Sequence, residues 1–227
     1  MRVTARIVPM LLVCGIAACN DNSTNNCCTT DQGELRIVNA FTSSVNVAID
    51  GTQVTSALAA GAIQTFPVAA GSHGLSVNGG AGSFVGPVTV ANGALSTLAV
   101  VRNASGNISS AVLDDTNSVV PAGATKLRVL HLAPNAGTLQ VYRTQPDFQQ
   151  PVAWQTPFNY QPSPTSQSAP FIQSTVGTWE VRIWQTPADA SGWSSATVKV
   201  VVPLGDGQKR TILILDKPGG GVRTEVI

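Results

Sequence analysis

Residues Lys126–Arg143, KLRVLHLAPNAGTLQVYR, predict a β-strand, a tight turn and a second strand. An earlier stretch, Glu34–Gly51 (ELRIVNAFTSSVNVAIDG), has the same form. Leu35–Val38 aligns with Leu127–Leu130 at an offset of 92 residues. The chain therefore contains two copies of one β-unit.

A second pair of segments shows where the copies differ in length. Thr97–Val101 aligns with Thr211–Leu215 at an offset of 114, so the offset grows by 114 − 92 = 22 residues. The second copy carries an insertion of that size. A repeat of about one hundred residues is a domain duplication, because solenoid repeats are about 20–50 residues long.

Composition favours β-structure. Apolar residues make up 43% of the 227 residues and charged residues only 11%, with 21 glycines and 14 prolines. Seven short strands in each copy, separated by Gly- and Asn-containing turns, predict an all-β fold of two tandem antiparallel β-sandwiches. Without its leader the chain has 11 basic and 12 acidic residues, so no basic surface for nucleic acid is expected.

The chain divides into five segments. Residues 1–18 are a signal peptide and residues 19–32 a flexible polar tether. The first sandwich occupies residues 33–117, a short linker residues 118–123, and the second sandwich residues 124–227. Because the linker is short, we expect the two sandwiches to touch.

The N-terminus has the features of a bacterial lipoprotein leader. Arg2 and Arg6 precede an apolar run that is too short to span a membrane as a helix. Ile16–Cys19 (IAAC) resembles the bacterial lipobox, which implies that Cys19 becomes the lipidated N-terminus. Asn20 favours the outer membrane in an organism that has one. The alternative is an ordinary cleaved leader with an incidental cysteine.

Two adjacent cysteines lie in the tether. In an oxidising compartment Cys27 and Cys28 could pair with each other or with another chain, although a vicinal bridge is strained. Two adjacent thiols do not make a closed zinc site, which needs four ligands. The sequence leaves their redox state open and predicts no metal and no cofactor.

The insertion, Thr144–Ala169, contains five prolines and several aromatic residues. Proline cannot donate to a sheet ladder, so we expect a long loop or an edge excursion rather than a central strand. Its aromatic residues could form a stacking platform for a sugar or a partner, or could pack the insertion onto the sandwich, which is favoured. The candidate platform residues are Trp154, Phe158 and Tyr160 of the insertion, together with Trp193 in a later Gly/Ser turn.

Two further tryptophans lie on one predicted strand. Trp179 and Trp184 are five residues apart, so they should face opposite sides of the sheet.

The opening of the second copy resembles a known bacterial family. Leu127–Ala136 followed by Leu139–Tyr142 is similar to the R-V-x-H-A-S-P-D-A-P and V-D-V-Y signature of domain-of-unknown-function family 4397. Ala133 and Asn135 depart from that pattern, and the first copy has Asn39 in place of His131. The resemblance implies immunoglobulin-like sandwiches in an exported protein, often in tandem, and no established chemistry.

His131 is the residue of the signature that could carry chemistry. The only other histidine, His73, lies at a non-equivalent place, so a structural role that ties the imidazole to its own loop is favoured. The sequence contains no G-x-S-x-G motif, although a Ser-His-Asp triad formed in space stays open.

The leading hypothesis is a lipid-anchored, non-enzymatic cell-envelope protein that binds or scaffolds an envelope partner. The alternatives are a carbohydrate-binding module that uses the aromatic insertion, and an unrecognised hydrolase.

Overall fold

The computed structural model describes residues 31–80, 82–115, 119–145, 152–165, 168–185 and 196–227. The described residues form sixteen β-strands and no helix. No helix long and apolar enough to span a membrane occurs among them. The strands of the first copy are β1 Gln32–Asn39, β2 Val45–Ile49, β3 Thr52–Leu58, β4 Ile63–Ala69, β5 Gly71–Gly79, β6 Gly82–Val90, β7 Leu95–Arg102 and β8 Ile108–Asp114.

The second copy repeats this series. Its strands are β9 Ala124–His131, β10 Leu139–Thr144, β11 Val152–Phe158, β12 Ile172–Thr175, β13 Gly177–Gln185, β14 Val198–Leu204, β15 Lys209–Asp216 and β16 Val222–Val226. In the first copy, sheet A has the order β4-β1-β7-β8 and sheet B the order β3-β2-β5-β6. Sheet C, β12-β9-β15-β16, and sheet D, β11-β10-β13-β14, have the same orders with every strand number raised by eight. The duplication seen in the sequence is therefore a duplication of topology.

The all-β sandwich class predicted from the sequence is confirmed, with one addition. Strands β1 and β7 run parallel, and so do β9 and β15, whereas the other pairs are antiparallel. The predicted purely antiparallel pattern missed this pair because alternation of apolar residues carries no information about which strands are neighbours.

Each copy has eight strands rather than the predicted seven. The missed strands are β3 and its counterpart β11, both at the edge of their sheets. Strand β11 lies inside the predicted insertion and contains Pro157, which an edge strand tolerates. The insertion is thus partly the edge excursion that was expected, and the long-loop interpretation was wrong for Val152–Phe158.

Alternating side chains fill a core inside each sandwich. Leu35, Ile37 and Leu98 belong to the first core, and Leu127 and Ile212 to the second. The neighbouring residues in the same strands point the other way and are also buried. They form a third core between sheets A and C, the shared core, which contains Val38, Ala40, Ala99, Val101, Leu113, Leu130, Leu132, Ala169, Leu213 and Leu215.

A buried charge cluster lies at one end of the shared core. Asp115 receives Arg128 Nη2 at 2.5 Å and Arg36 Nη1 at 3.6 Å, and Thr97 Oγ1 donates to the same carboxylate. Arg128 is 1% exposed, and burial lowers the pKa of its guanidinium. Lys209 Nζ donates to the Asp115 carbonyl oxygen at 2.7 Å. The two sandwiches are therefore joined by both apolar packing and a buried ion pair.

The two sandwiches point the same way. Arg36 and Arg128 occupy equivalent positions in β1 and β9, and both contact Asp115. Lys209, which lies beside Lys126 near the start of β9, bonds to the same residue, and Asp115 itself bonds to Leu95 at the start of β7. We call the end where β1 and β9 begin the proximal pole, and the end where they finish the distal pole. The chain enters the fold at Gln32, so the tether joins the proximal pole.

Candidate functional site

The predicted aromatic platform is not assembled from its described members. Phe158 is 4% exposed and belongs to the second core. Trp154 lies four residues earlier on β11, toward the proximal pole, where it packs partly buried against the same core. Trp193 lies outside the described residues. The described aromatic side chains therefore pack the insertion onto the sandwich and do not share one exposed face.

Tyr160 connects the two sandwiches at the distal pole. Its hydroxyl donates to the Arg102 carbonyl oxygen at 2.5 Å and accepts from the Arg102 backbone N–H at 3.0 Å. Burial raises the pKa of this phenol. Tyr160 thus satisfies the backbone at the end of β7 and holds the insertion against the first sandwich.

His131 is enclosed beside these aromatic rings. It is fully buried, its Nε2 lies 2.8 Å from the Gly137 carbonyl oxygen, and Nδ1 accepts from the Ala133 N–H at 3.3 Å. These contacts require the tautomer with the proton on Nε2. Burial lowers the pKa of the imidazole, so the ring is neutral at physiological pH. Both ring nitrogens are occupied by the loop that follows β9, as the structural interpretation expected.

The first copy uses an asparagine for the same purpose. Asn39, which the register places at the position of His131, donates to the Ser43 and Leu58 carbonyl oxygens at 2.9 Å and 2.8 Å. Its Oδ1 accepts from the Phe41 N–H at 3.0 Å. The asparagine of the first copy therefore bonds its neighbouring loop as the histidine of the second copy does, through an amide instead of an imidazole.

A cation–π stack lies at the proximal pole of the second sandwich. The Arg143 guanidinium carbon is 5.4 Å from the ring centre of Trp154 and 5.3 Å from that of Trp179. Arg143 Nη1 donates to Ser174 Oγ at 2.8 Å, and none of the ion pairs in the described part of the chain includes it. Burial lowers the pKa of Arg143. This cluster, Arg143, Trp154, Trp179 and Ser174, is called the Arg–Trp stack below.

Sequence reasoning missed Arg143. The signal was present, because Leu139, Val141 and Arg143 alternate on one face of β10, which places a charged residue at the end of an apolar row. The prediction that Trp179 and Trp184 face opposite sides agrees with the structure. Trp179 packs on the second core, whereas Trp184 lies on the other side of sheet D, edge-on to Tyr142 with ring centres 5.3 Å apart.

A cavity of about 330 Å³ lies between the sandwiches at the distal pole. The loops after β1 and β3 line one side, and Asn135 with the β15–β16 hairpin lines the other. Asp216 accepts from Asn135 Nδ2 at 2.8 Å, and burial raises the pKa of this carboxyl group. Both copies line the cavity, so neither sandwich alone contains it.

His73 belongs to β5 and pairs with the β2–β3 turn. Its Nδ1 is 2.7 Å from Asp50 Oδ2, and its Nε2 is 2.8 Å from the Ala69 carbonyl oxygen. The hydrogen bond to Asp50 raises the pKa of His73, and the same bond lowers the pKa of Asp50. Both ring nitrogens are again engaged with protein groups.

Within the described ranges no cluster of three or more histidine, cysteine or acidic residues is arranged to hold a metal ion. Cys19, Cys27 and Cys28 lie outside those ranges, so their predicted lipidation and pairing remain predictions.

Residues 33–142 match the family described as a domain of unknown function, DUF4397. This match over 110 of the 227 residues confirms the resemblance found in the sequence. The match runs from β1 to β10, so it covers the first sandwich and the first two strands of the second.

Other comparisons add nothing about function. No curated protein matches the chain. A product complex of the multi-modular glycogen-degrading pneumococcal virulence factor SpuA is 11% identical, with a TM-score of 0.29 over 87% of this chain and 22% of that one. A leucine-rich repeat protein from Bacteroides thetaiotaomicron VPI-5482 is 12% identical, with a TM-score of 0.21 over 80% and 26%. The chain thus spans about a quarter of each, and scores this low support no inference.

Proposed function

We propose that this protein is a non-enzymatic lipoprotein of the bacterial cell envelope that presents a fused pair of β-sandwiches to a partner outside the cytoplasm. The observation that carries the proposal is the lipobox-like cysteine placed just ahead of a rigid body. Cys19 precedes the first strand residue, Gln32, by 13 positions, all of them polar or small. Several acyl chains on Cys19 anchor the protein stably, whereas one chain alone is marginal.

The shared core supports the scaffolding part of this function. A pair of domains joined only by a linker moves freely, but apolar packing together with a buried ion pair holds two domains in one orientation. A body anchored at its proximal pole then carries the distal cavity on the side away from the tether. That cavity is our candidate site for the partner.

The environment of His131 supports the non-enzymatic part. A general base must reach a substrate proton, and this imidazole is fully buried and bonded through both nitrogens.

The decisive experiment is metabolic labelling with a palmitate analogue in a bacterium that processes lipoproteins. The wild-type chain is expected to take up label and to partition into detergent, and Cys19→Ser to lose both. Cys14→Ser, in the leader, and Cys27→Ser are matched controls that should keep the label. Label that persists in Cys19→Ser, or is absent from the wild type, contradicts the proposal.

A further inference from the structure

We propose that the proximal pole of the second sandwich is a second membrane contact, which rests on the lipid bilayer through Val152, Val176 and the Arg–Trp stack. This inference depends on the lipid anchor proposed above and adds an orientation to it. An anchor alone leaves the body free to tumble at the end of its tether, whereas a second contact turns the distal cavity away from the membrane.

Three of the seven exposed large apolar residues in the described part of the chain lie at this pole. Val152 begins β11 and is 60% exposed, Val176 lies in the β12–β13 connection and is 46% exposed, and Val119 in the linker is 87% exposed. Each lies on a chain segment at the end of the sandwiches where the tether joins. Single exposed valines are ordinary, but a group of them at the attachment point of a membrane anchor forms a surface that lipid can cover.

The Arg–Trp stack has the chemistry of a membrane interface. The rings of Trp154 and Trp179 are only partly buried and so offer apolar surface of the kind enriched at membrane interfaces, whereas Trp179 Nε1 donates to the Thr175 carbonyl oxygen and Trp154 Nε1 is buried. The Arg143 guanidinium has further N–H donors besides the one bonded to Ser174, and it takes part in no ion pair within the described residues. A lipid phosphate is an acceptor that a guanidinium binds well.

The tether is short enough for this contact. The thirteen residue-to-residue steps from Cys19 to Gln32 reach at most about 45 Å when fully extended. The acylated N-terminus therefore keeps the pole at a high local concentration near the bilayer, and weak contacts suffice under that condition. Charged residues of both signs lie at this pole, so the contact does not require anionic lipid; they include Asp31, Glu34, Asp50, Lys126, Asp206 and Lys209.

The test uses the full-length lipidated chain reconstituted in phosphatidylcholine vesicles, with and without bromine on the acyl chains. Bromine quenches only tryptophans close to the hydrocarbon. We expect the wild type to be quenched, and a Val152→Glu, Val176→Glu double variant to lose most of that quenching. A Val85→Glu, Val112→Glu variant is the control, because those exposed valines lie on β6 and β8, away from the pole.

Further measurements separate the two proposals. If both double variants and the wild type stay vesicle-bound but show equal quenching, the second contact is refuted and the anchor stands. If Cys19→Ser floats with vesicles as well as the wild type does, the anchor is refuted. In that case flotation tests the contact: the Val152→Glu, Val176→Glu variant must lose the vesicle binding that the Val85→Glu, Val112→Glu variant keeps. A Val152→Thr, Val176→Thr variant, nearly unchanged in shape, must also lose quenching if the glutamate variant misfolds.

Discussion

The two sandwiches share one strand order but end differently at the proximal pole. In the first, the register places Ile49, Val54 and His73 where the second has Arg143, Trp154 and Trp179. The first set closes the core with aliphatic side chains and a surface His–Asp pair, and the second closes it with a guanidinium between two indoles. A duplicated topology therefore constrains the sheet interior strongly, while the ends of the strands are free to acquire new chemistry.

The first prediction concerns Asp115, whose carboxylate joins the two sandwiches. Asp115→Ala leaves Arg128 buried without its carboxylate, so we expect a loss of about 3–5 kcal/mol in the free energy of unfolding. Urea denaturation followed by circular dichroism measures this. Glu34→Gln, an exposed carboxylate at the same pole, is the control and should change stability by less than about 0.5 kcal/mol. A loss below about 1 kcal/mol would show that the Asp115–Arg128 ion pair is not needed to join the sandwiches.

The second prediction exchanges the loop-tying residues. His131→Asn introduces the residue that the first copy uses, and we expect a cost of about 1–3 kcal/mol because the smaller side chain leaves space and cannot reproduce both bonds.

The pH dependence of this variant has a definite sign. Burial lowers the pKa of His131, so below the ordinary value of 6.5 the unfolded state binds more protons than the folded state. The wild type should lose stability as the pH falls through that value, and His131→Asn should show a shallower loss. Denaturation midpoints at several pH values check this. Equal slopes would mean that the imidazole is reached by solvent.

The third and smallest prediction concerns the surface pair of the first copy. The pKa of His73 is raised and that of Asp50 is lowered, so their contribution is present between the two ordinary values, 3.8 and 6.5. It is lost as the pH rises through the raised pKa of His73 or falls through the lowered pKa of Asp50. His73→Gln should therefore lower the melting temperature more at roughly pH 5 than at roughly pH 9. An effect independent of pH would contradict the pairing, and Thr89→Val, an exposed change on neighbouring β6, is the control.

Local pattern explains which predictions succeeded. Leu35 and Ile37 alternate with polar or outward residues, so β1 was predicted from its own residues, and the copy at Leu127 strengthened it. Strand β3, TQVTSAL, is mostly exposed at a sheet edge, so it has no apolar row to reveal it. The aromatic platform assumed that the aromatic side chains of the insertion lie together on one face. Instead, the rings of Phe158 and Tyr160, at the distal end of β11, pack beside the ring of His131.

The sequence by itself determined the duplication, the all-β class, the family resemblance and the loop-tying place of His131, because each depends on residues close together in the chain. Only the tertiary structure decided that sheets A and C pack into a shared core, that Asp115 joins Arg36 and Arg128, and that Arg143 lies between two indoles. These features bring together residues that are far apart in the sequence. The apolar pattern of a strand indicates that both of its faces are buried, but it does not indicate which sheet covers them.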